Sequence, residues 1–139
     1  GVPVGAFVLN EKTAGASLSP GDHGTTYGGN PLACAAVLAV FDLFEQRGIL
    51  SHVRETAPYL EQKLDELVKK YDFLKERRGM GLMQGLQVEE RPVGEILQNA
   101  LKNGLIVLSA GENVLRFVPP LIITKDHIDE MIRRLESSF

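Results

Sequence analysis

The sequence is poor in the features that assign a chain to a chemistry at first sight. It has one cysteine, Cys34, and no tryptophan among its 139 residues. A single thiol excludes an intrachain disulfide, and its place in an alanine-rich run reads as a small buried residue. There is no C-x-x-C, no H-E-x-x-H and no acidic loop of calcium-binding spacing. The three histidines, His23, His52 and His127, stand far apart, so no metal site is expected. Basic charge is also scarce. Lys and Arg number 15 against 18 Asp and Glu, for a net charge of −3. A general nucleic-acid binder would carry the opposite balance. No apolar run approaches the roughly 20 residues of a membrane span. The longest, Leu32 to Phe44, is interrupted by Asp42 and reads as a buried helix. With no basic-then-apolar leader either, the expectation is a cytoplasmic protein without membrane contact. An initiator Met is missing too: the chain opens directly on Gly1-Val2-Pro3-Val4, which reads as the later part of a longer protein.

What is present is an ordinary globular mix, 44% hydrophobic and 24% charged, sized for one domain or one domain with a piece of another. Val4 to Leu9 read as a short strand. A polar stretch follows from Asn10 to Gly29, long for a structureless loop and so a place to look for function. Asn30 and Pro31 then supply an N-cap and a first helical residue. The helix they open is apolar all round, is expected to be buried on most sides, and ends at Gly48. Val53, Ala57, Leu60, Leu64, Leu67 and Tyr71 form one stripe of a second, amphipathic helix, which Pro58 should kink or divide. Strands are expected over residues 73–78 and 82–88, around Gly79-Met80-Gly81. Leu82, Gln84, Leu86 and Val88 share one face of the second strand. A helix over residues 93–103, strands at 105–108 and 114–118, and a helix capped by Thr124 complete the chain. The order predicts an α+β fold, a small sheet packed on helices. Residues 1–44 form no unit of their own, and residues 45–139 do.

Two places suggest chemistry. In His23-Gly24-Thr25-Thr26-Tyr27-Gly28-Gly29 two hydroxyls sit in a glycine-containing turn just before a capped helix. Such a turn suits an anion, most often a phosphate, or is simply a long turn with an N-cap. Arg116 stands inside the apolar run Val114 to Leu121. It is either paired or facing a ligand, where its fork suits a carboxylate, or it lies on the solvated face of an edge strand. Arg78, before Gly79-Met80-Gly81, is a strand-end arginine of anion-binding or structural role. The acidic residues Glu61, Asp65, Glu66, Asp129 and Glu130 recur at helical spacing and read as a solvated face.

Four segments carry a resemblance: Val2-Pro3-Val4-Gly5-Ala6, His23 to Ala33, Arg78-Gly79-Met80-Gly81-Leu82, and Leu115-Arg116-Phe117-Val118-Pro119-Pro120-Leu121. In that order and spacing the chain resembles the C-terminal part of a class III aminotransferase dependent on pyridoxal phosphate, most of all the acetylornithine branch. The resemblance implies the C-terminal small domain of a fold-type I enzyme, residues 45–139. Ahead of it, residues 1–44 would be the last strand, loop and helix of the large cofactor domain. It further implies a homodimer with active sites shared across the interface, acting on an amino-acid substrate and 2-oxoglutarate. Thr26 matches the residue that binds the cofactor phosphate, Thr25 a position near the acyl-ornithine substrate, and Arg116 the arginine that holds the substrate α-carboxylate. The Schiff-base lysine of the class lies a few residues before the position of Val2, so no catalytic residue is expected among these 139. Lys12 falls on the wrong side of the motif. The implied activity is transfer of the δ-amino group of N-acetylornithine to 2-oxoglutarate in arginine biosynthesis, with the chain by itself inactive. An ornithine or 4-aminobutyrate type of the class, or a non-catalytic interaction module of the same fold, are the alternatives.

Overall fold

The computed structural model describes residues 2–19 and 21–139 and divides into two compact units, Gly1–Arg47 and Gly48–Phe139.

The first unit holds two helices, α1 (Glu11–Ser17) and α2 (Pro31–Gln46). The expected strand at Val4–Leu9 is not formed: these residues are irregular and mostly exposed. A strand needs a neighbour to take up its backbone groups, and all the strand pairing among the described residues lies in the other unit. The long polar stretch is not structureless either, because α1 lies within it. Asn10 caps that helix by accepting from the backbone N–H of Thr13 at 2.9 Å, and Glu11 sits in its first turn. Helix α2 starts where expected, with the Asn30 side chain accepting from the N–H of Ala33 at 2.9 Å and Pro31 in the first turn. Gly48, the residue after its C-cap Arg47, has a left-handed φ of 56°. Burial is the correction here. Ala33 is the one buried residue of α2, and even Cys34 is exposed. An all-round apolar helix needs cover on every side, and this unit is too small to provide it.

The second unit is a four-stranded antiparallel sheet with helices on one face. Its elements are α3 (Ile49–Lys70), β1 (Leu74–Met80), β2 (Met83–Val88), α4 (Val93–Lys102), β3 (Leu108–Ala110), β4 (Val114–Phe117) and α5 (Lys125–Glu136). The strand order is β1-β2-β4-β3. The α3 stripe is the expected one: Ala57, Leu60, Leu64 and Leu67 are buried, with Val53 and Tyr71 packed beside them. They meet Leu82 from the β1–β2 turn, Leu86 and Val88 from β2, and Ile128, Met131 and Leu135 from α5. Pro58 neither ends nor divides α3, which runs unbroken through it. Proline removes a single backbone bond there, and the buried stripe continues on both sides.

The β3 strand lies later than expected, at residues 108–110 rather than 105–108. Leu108 faces Arg116 and Ala110 faces Val114. In that register, earlier residues would run opposite Pro119, which has no N–H to offer a ladder. The loop after β4 is fixed at two points. The Nε2 of His52 donates to the Ile123 carbonyl at 2.8 Å. Thr124 caps α5 reciprocally with His127: Thr124 Oγ1 accepts from the His127 N–H, and the Thr124 N–H donates to His127 Nδ1 at 3.3 Å.

Candidate functional site

The glycine-containing turn of the first unit is built by its own side chains. The Thr25 hydroxyl accepts from the backbone N–H of Tyr27 at 3.3 Å, a local turn that holds the segment in shape. Asn30 reaches back to the Tyr27 carbonyl at 2.8 Å while its other atom caps α2. A Cβ at Gly28 would stand 2.4 Å from Thr25 Cγ2, so a side chain there would push the Thr25 methyl aside. Gly29 adopts a left-handed φ of 66°. Thr26, in contrast, is exposed, and its hydroxyl makes no hydrogen bond with another described residue. The turn therefore uses Thr25 Oγ1 as an acceptor, while Thr26 makes no side-chain bond among the described residues. Just upstream, the rings of Phe7 and His23 meet edge to face with centroids 5.2 Å apart.

Arg116 lies on β4, in the second unit. Its neighbours in the strand alternate: Leu115 and Phe117 are buried in the core, so Arg116 points to the opposite face of the sheet. No helix of the unit covers that face, where Met80 and Met83 are also exposed. Arg116 forms no salt bridge and no side-chain hydrogen bond among the described residues. A guanidinium presents five N–H donors, and here all five are free for a ligand. The edge-strand reading does not hold, since β4 is an inner strand between β2 and β3.

Arg78 is on β1 with its side chain exposed. Its Nη2 meets Gln87 Oε1 and stands 3.2 Å from Glu76. Behind it, on the core face, lies a polar network that periodicity does not reveal. Gln84, 1% exposed, accepts from Arg77 Nη1 at 3.0 Å and donates to the Gly81 carbonyl at 2.7 Å and to Glu61 at 3.2 Å. Arg77 in turn binds Asp65 at 2.7 Å, and that carboxylate raises the guanidinium's pKa. Glu61 and Asp65 thus belong to a structural clamp between α3 and the β1–β2 hairpin, not to a plain solvated face. Gly79, paired with Gln84 near the end of β1, has φ 145°, and a Cβ there would stand 2.2 Å from the Met83 carbonyl oxygen.

The family description for class-III aminotransferases matches residues 1–139. The chain belongs to the class-III aminotransferases. Among curated members it is 47% identical, over its full 139 residues, to the acetylornithine aminotransferase of Methanocaldococcus jannaschii, 34% of which it covers. It is 46% identical over 136 residues to the acetylornithine aminotransferase of Caldanaerobacter subterraneus, with 98% of this chain and 34% of that protein covered. Among solved structures, the acetylornithine aminotransferase of Elizabethkingia anophelis superposes with a TM-score of 0.78 at 27% identity, over 87% of this chain and 31% of that one. The ornithine δ-aminotransferase of Plasmodium falciparum gives the same TM-score at 31% identity, over 87% and 32%. The chain spans about a third of the length of the curated relatives it matches.

Membership of this class implies pyridoxal phosphate. The turn at Thr25–Gly29 fits one part of that cofactor, its phosphate, because the free Thr26 hydroxyl stands in a segment whose two glycines carry no side chain. Lys12, the lysine nearest the start, lies in α1.

Proposed function

We propose that the protein carrying this chain is a pyridoxal-phosphate-dependent aminotransferase. It would take the δ-amino group of N-acetylornithine and deliver it to 2-oxoglutarate, within arginine biosynthesis. The observation that carries the reading is Arg116, an unpaired guanidinium on an inner strand of an otherwise apolar segment, with all its donors free. The names and identities of the relatives, 46–47% over essentially the whole chain, support the acetylornithine branch.

In this reading Arg116 holds the substrate α-carboxylate through a bidentate pair, which fixes the orientation of the amino acid. Thr26 donates its hydroxyl to the cofactor phosphate of the neighbouring subunit's site in a cytoplasmic homodimer. Thr25, committed to its own turn, places its methyl group and backbone near the acyl end of the substrate. Pyridoxal phosphate, when bound, supplies the electron sink for removing the proton beside the amino nitrogen. Residues 1–44 belong to the large cofactor domain and 45–139 to the small domain. The 139 residues by themselves are inactive, because none of their lysines matches the position that links the cofactor.

Steady-state assays of the full-length protein test this. N-acetylornithine should be the best amino donor, and Arg116→Gln should raise its KM by at least about tenfold, the scale of a lost charged hydrogen bond. A preference for free ornithine would instead favour the second reading, an ornithine-type enzyme, for which the equal TM-score of the ornithine δ-aminotransferase speaks. No transamination with any ω-amino donor would overturn both.

A further inference from the structure

One peptide group beyond β4 is held by two histidines from different helices. The carbonyl of Ile123 and the N–H of Thr124 belong to the same peptide unit, and a trans peptide points them in opposite directions. His52, on α3, meets that carbonyl through Nε2 at 2.8 Å. A carbonyl only accepts, so this nitrogen carries the proton. Thr56 Oγ1, buried one turn along α3, stands 3.5 Å from the same nitrogen and backs the ring. His127, on α5, takes the N–H on Nδ1 at 3.3 Å, so this nitrogen is bare. One imidazole donates and the other accepts, on opposite sides of a single peptide plane.

That peptide ends the segment that leaves the strand of Arg116. The backbone of Arg116 is set by the sheet, between Gly85 on β2 and Leu108 on β3. Gly85 is closely approached there: a Cβ would stand 3.0 Å from Val114 Cγ1. The Arg116 side chain, in contrast, has no partner among the described residues to orient it. Phe117 anchors the chain in the core directly after it, and Ile123 anchors it again. Between these anchors run Val118 to Ile122, which include Pro119 and Pro120 with their fixed φ. The N–H of Ile123 closes a turn on the Pro120 carbonyl at 3.0 Å. With the 123–124 peptide held as well, the segment has little room to move. Arg116, Val118, Pro119, Pro120 and His127 border one hollow, so the segment stands beside Arg116 as a fixed wall.

We propose that His52 and His127 are positioning residues for Arg116, acting through the 118–124 segment. This deepens the proposed function and rests on its assignment of the substrate α-carboxylate to Arg116. With the peptide held on both sides, the segment limits the directions in which the Arg116 side chain can lie. The carboxylate then meets a guanidinium that is already aimed. With the peptide released, the segment moves and the side chain samples more rotamers, so ordering it on binding costs affinity. Neither histidine touches the substrate, and neither transfers a proton.

Steady-state kinetics of the full-length protein with its best amino donor test this. His52→Leu keeps the bulk and removes the N–H. It should raise the KM of the donor about threefold to tenfold, the scale of one hydrogen bond, with kcat unchanged. His52→Gln places an amide N–H near the position of Nε2 and should restore most of the affinity. His127→Ala, an exposed and gentler change, should raise KM about twofold. His127→Gln, which keeps a side-chain acceptor for the Thr124 N–H, should not. In an Arg116→Gln background His52→Leu should add nothing, because its effect runs through that side chain. A purely structural role would lower the unfolding midpoint and leave KM where it was. An unchanged KM in His52→Leu, or in His127→Ala if His52→Leu does not fold, overturns this proposal, as does a further rise in the Arg116→Gln background. If Arg116→Gln alone raises KM, the assignment of Arg116 stands without it. If Arg116→Gln leaves KM unchanged, that assignment fails, and this proposal fails with it.

Discussion

The two units treat their apolar residues in opposite ways. In residues 2–47 Ala33 is the only buried hydrophobic residue among those described, and Leu32, Leu38, Phe41 and Leu43 on α2 are exposed. In residues 48–139 the apolar side chains close into one core of helix and sheet. Helix α2 is the more hydrophobic of the two long helices, yet α3 is the one its own chain buries. Hydrophobicity alone does not make a core. The apolar residues must be gathered on one face, with a complementary surface in the same chain to meet it. Helix α3 has both, and α2 has neither.

Leu86, fully buried in β2, and Leu38, exposed on α2, give the sharpest test of that contrast. Leu86→Ala should destabilise the second unit by about 2–5 kcal/mol in denaturant unfolding. Leu38→Ala should cost less than about 0.5 kcal/mol. Equal losses would mean that α2 is covered in solution. Next in size is Gly79→Ala, which forces a side chain into a positive-φ position against the Met83 carbonyl. It should lower stability by about 1–3 kcal/mol and increase amide exchange through the β1–β2 hairpin.

Association should separate the units further. The exposed face of α2 should make the 139-residue chain self-associate, and Phe41→Glu should reduce the light-scattering mass without shifting the unfolding midpoint. A monomer at high concentration before the change would break the comparison. The smallest effect concerns acid. Arg133 and Arg134 on α5 pull the Glu130 carboxyl down from 4.5 to about 2. Its folded pKa lies below its unfolded one, so its contribution is complete above about pH 4.5 and is lost as the pH falls toward 2. Glu130→Gln should flatten the stability profile of the second unit in that window, and only slightly, because the group is exposed.

The parts of the fold legible in the sequence were those whose cause is local or periodic. The stripe from Val53 to Tyr71, the alternation from Leu82 to Val88, and the caps Asn30 and Thr124 each depend on residues a few positions apart. Val4–Leu9 failed as a strand because strand propensity needs a partner, and none is present among the described residues of its unit. Helix α1 was missed because it is seven residues long and interrupted by Gly15, although Asn10 followed by Glu11 was a usable start signal. The shift of β3 depended on its register against β4 and on Pro119, which periodicity does not encode.

The candidate site divides in the same way. Arg116 stood out as a lone cation in an apolar strand, and Thr25 and Thr26 as hydroxyls before a capped helix. That Thr25 accepts within its own turn while Thr26 makes no bond among the described residues depends on how the turn folds. Gly85 had one faint signal, a glycine in mid-strand, which often marks close approach of another group. The clamp of Gln84 with Arg77, Glu61 and Asp65 had none, since it joins residues up to 23 positions apart.

That clamp has a consequence for whatever lands on the outer face. Gln84 and Arg77 fasten the backbone of β1 and β2 to α3 from behind, so the strands that carry Arg78 and Gly85 are held whether or not a ligand is present. A ligand on that face would have only side-chain tips to order, with no hairpin to freeze, so the entropy lost on binding would be correspondingly small. The buried side of the sheet thus acts as the stiff backing of its exposed side. A weakened clamp should show first as faster amide exchange in the β1–β2 hairpin, before any loss of fold.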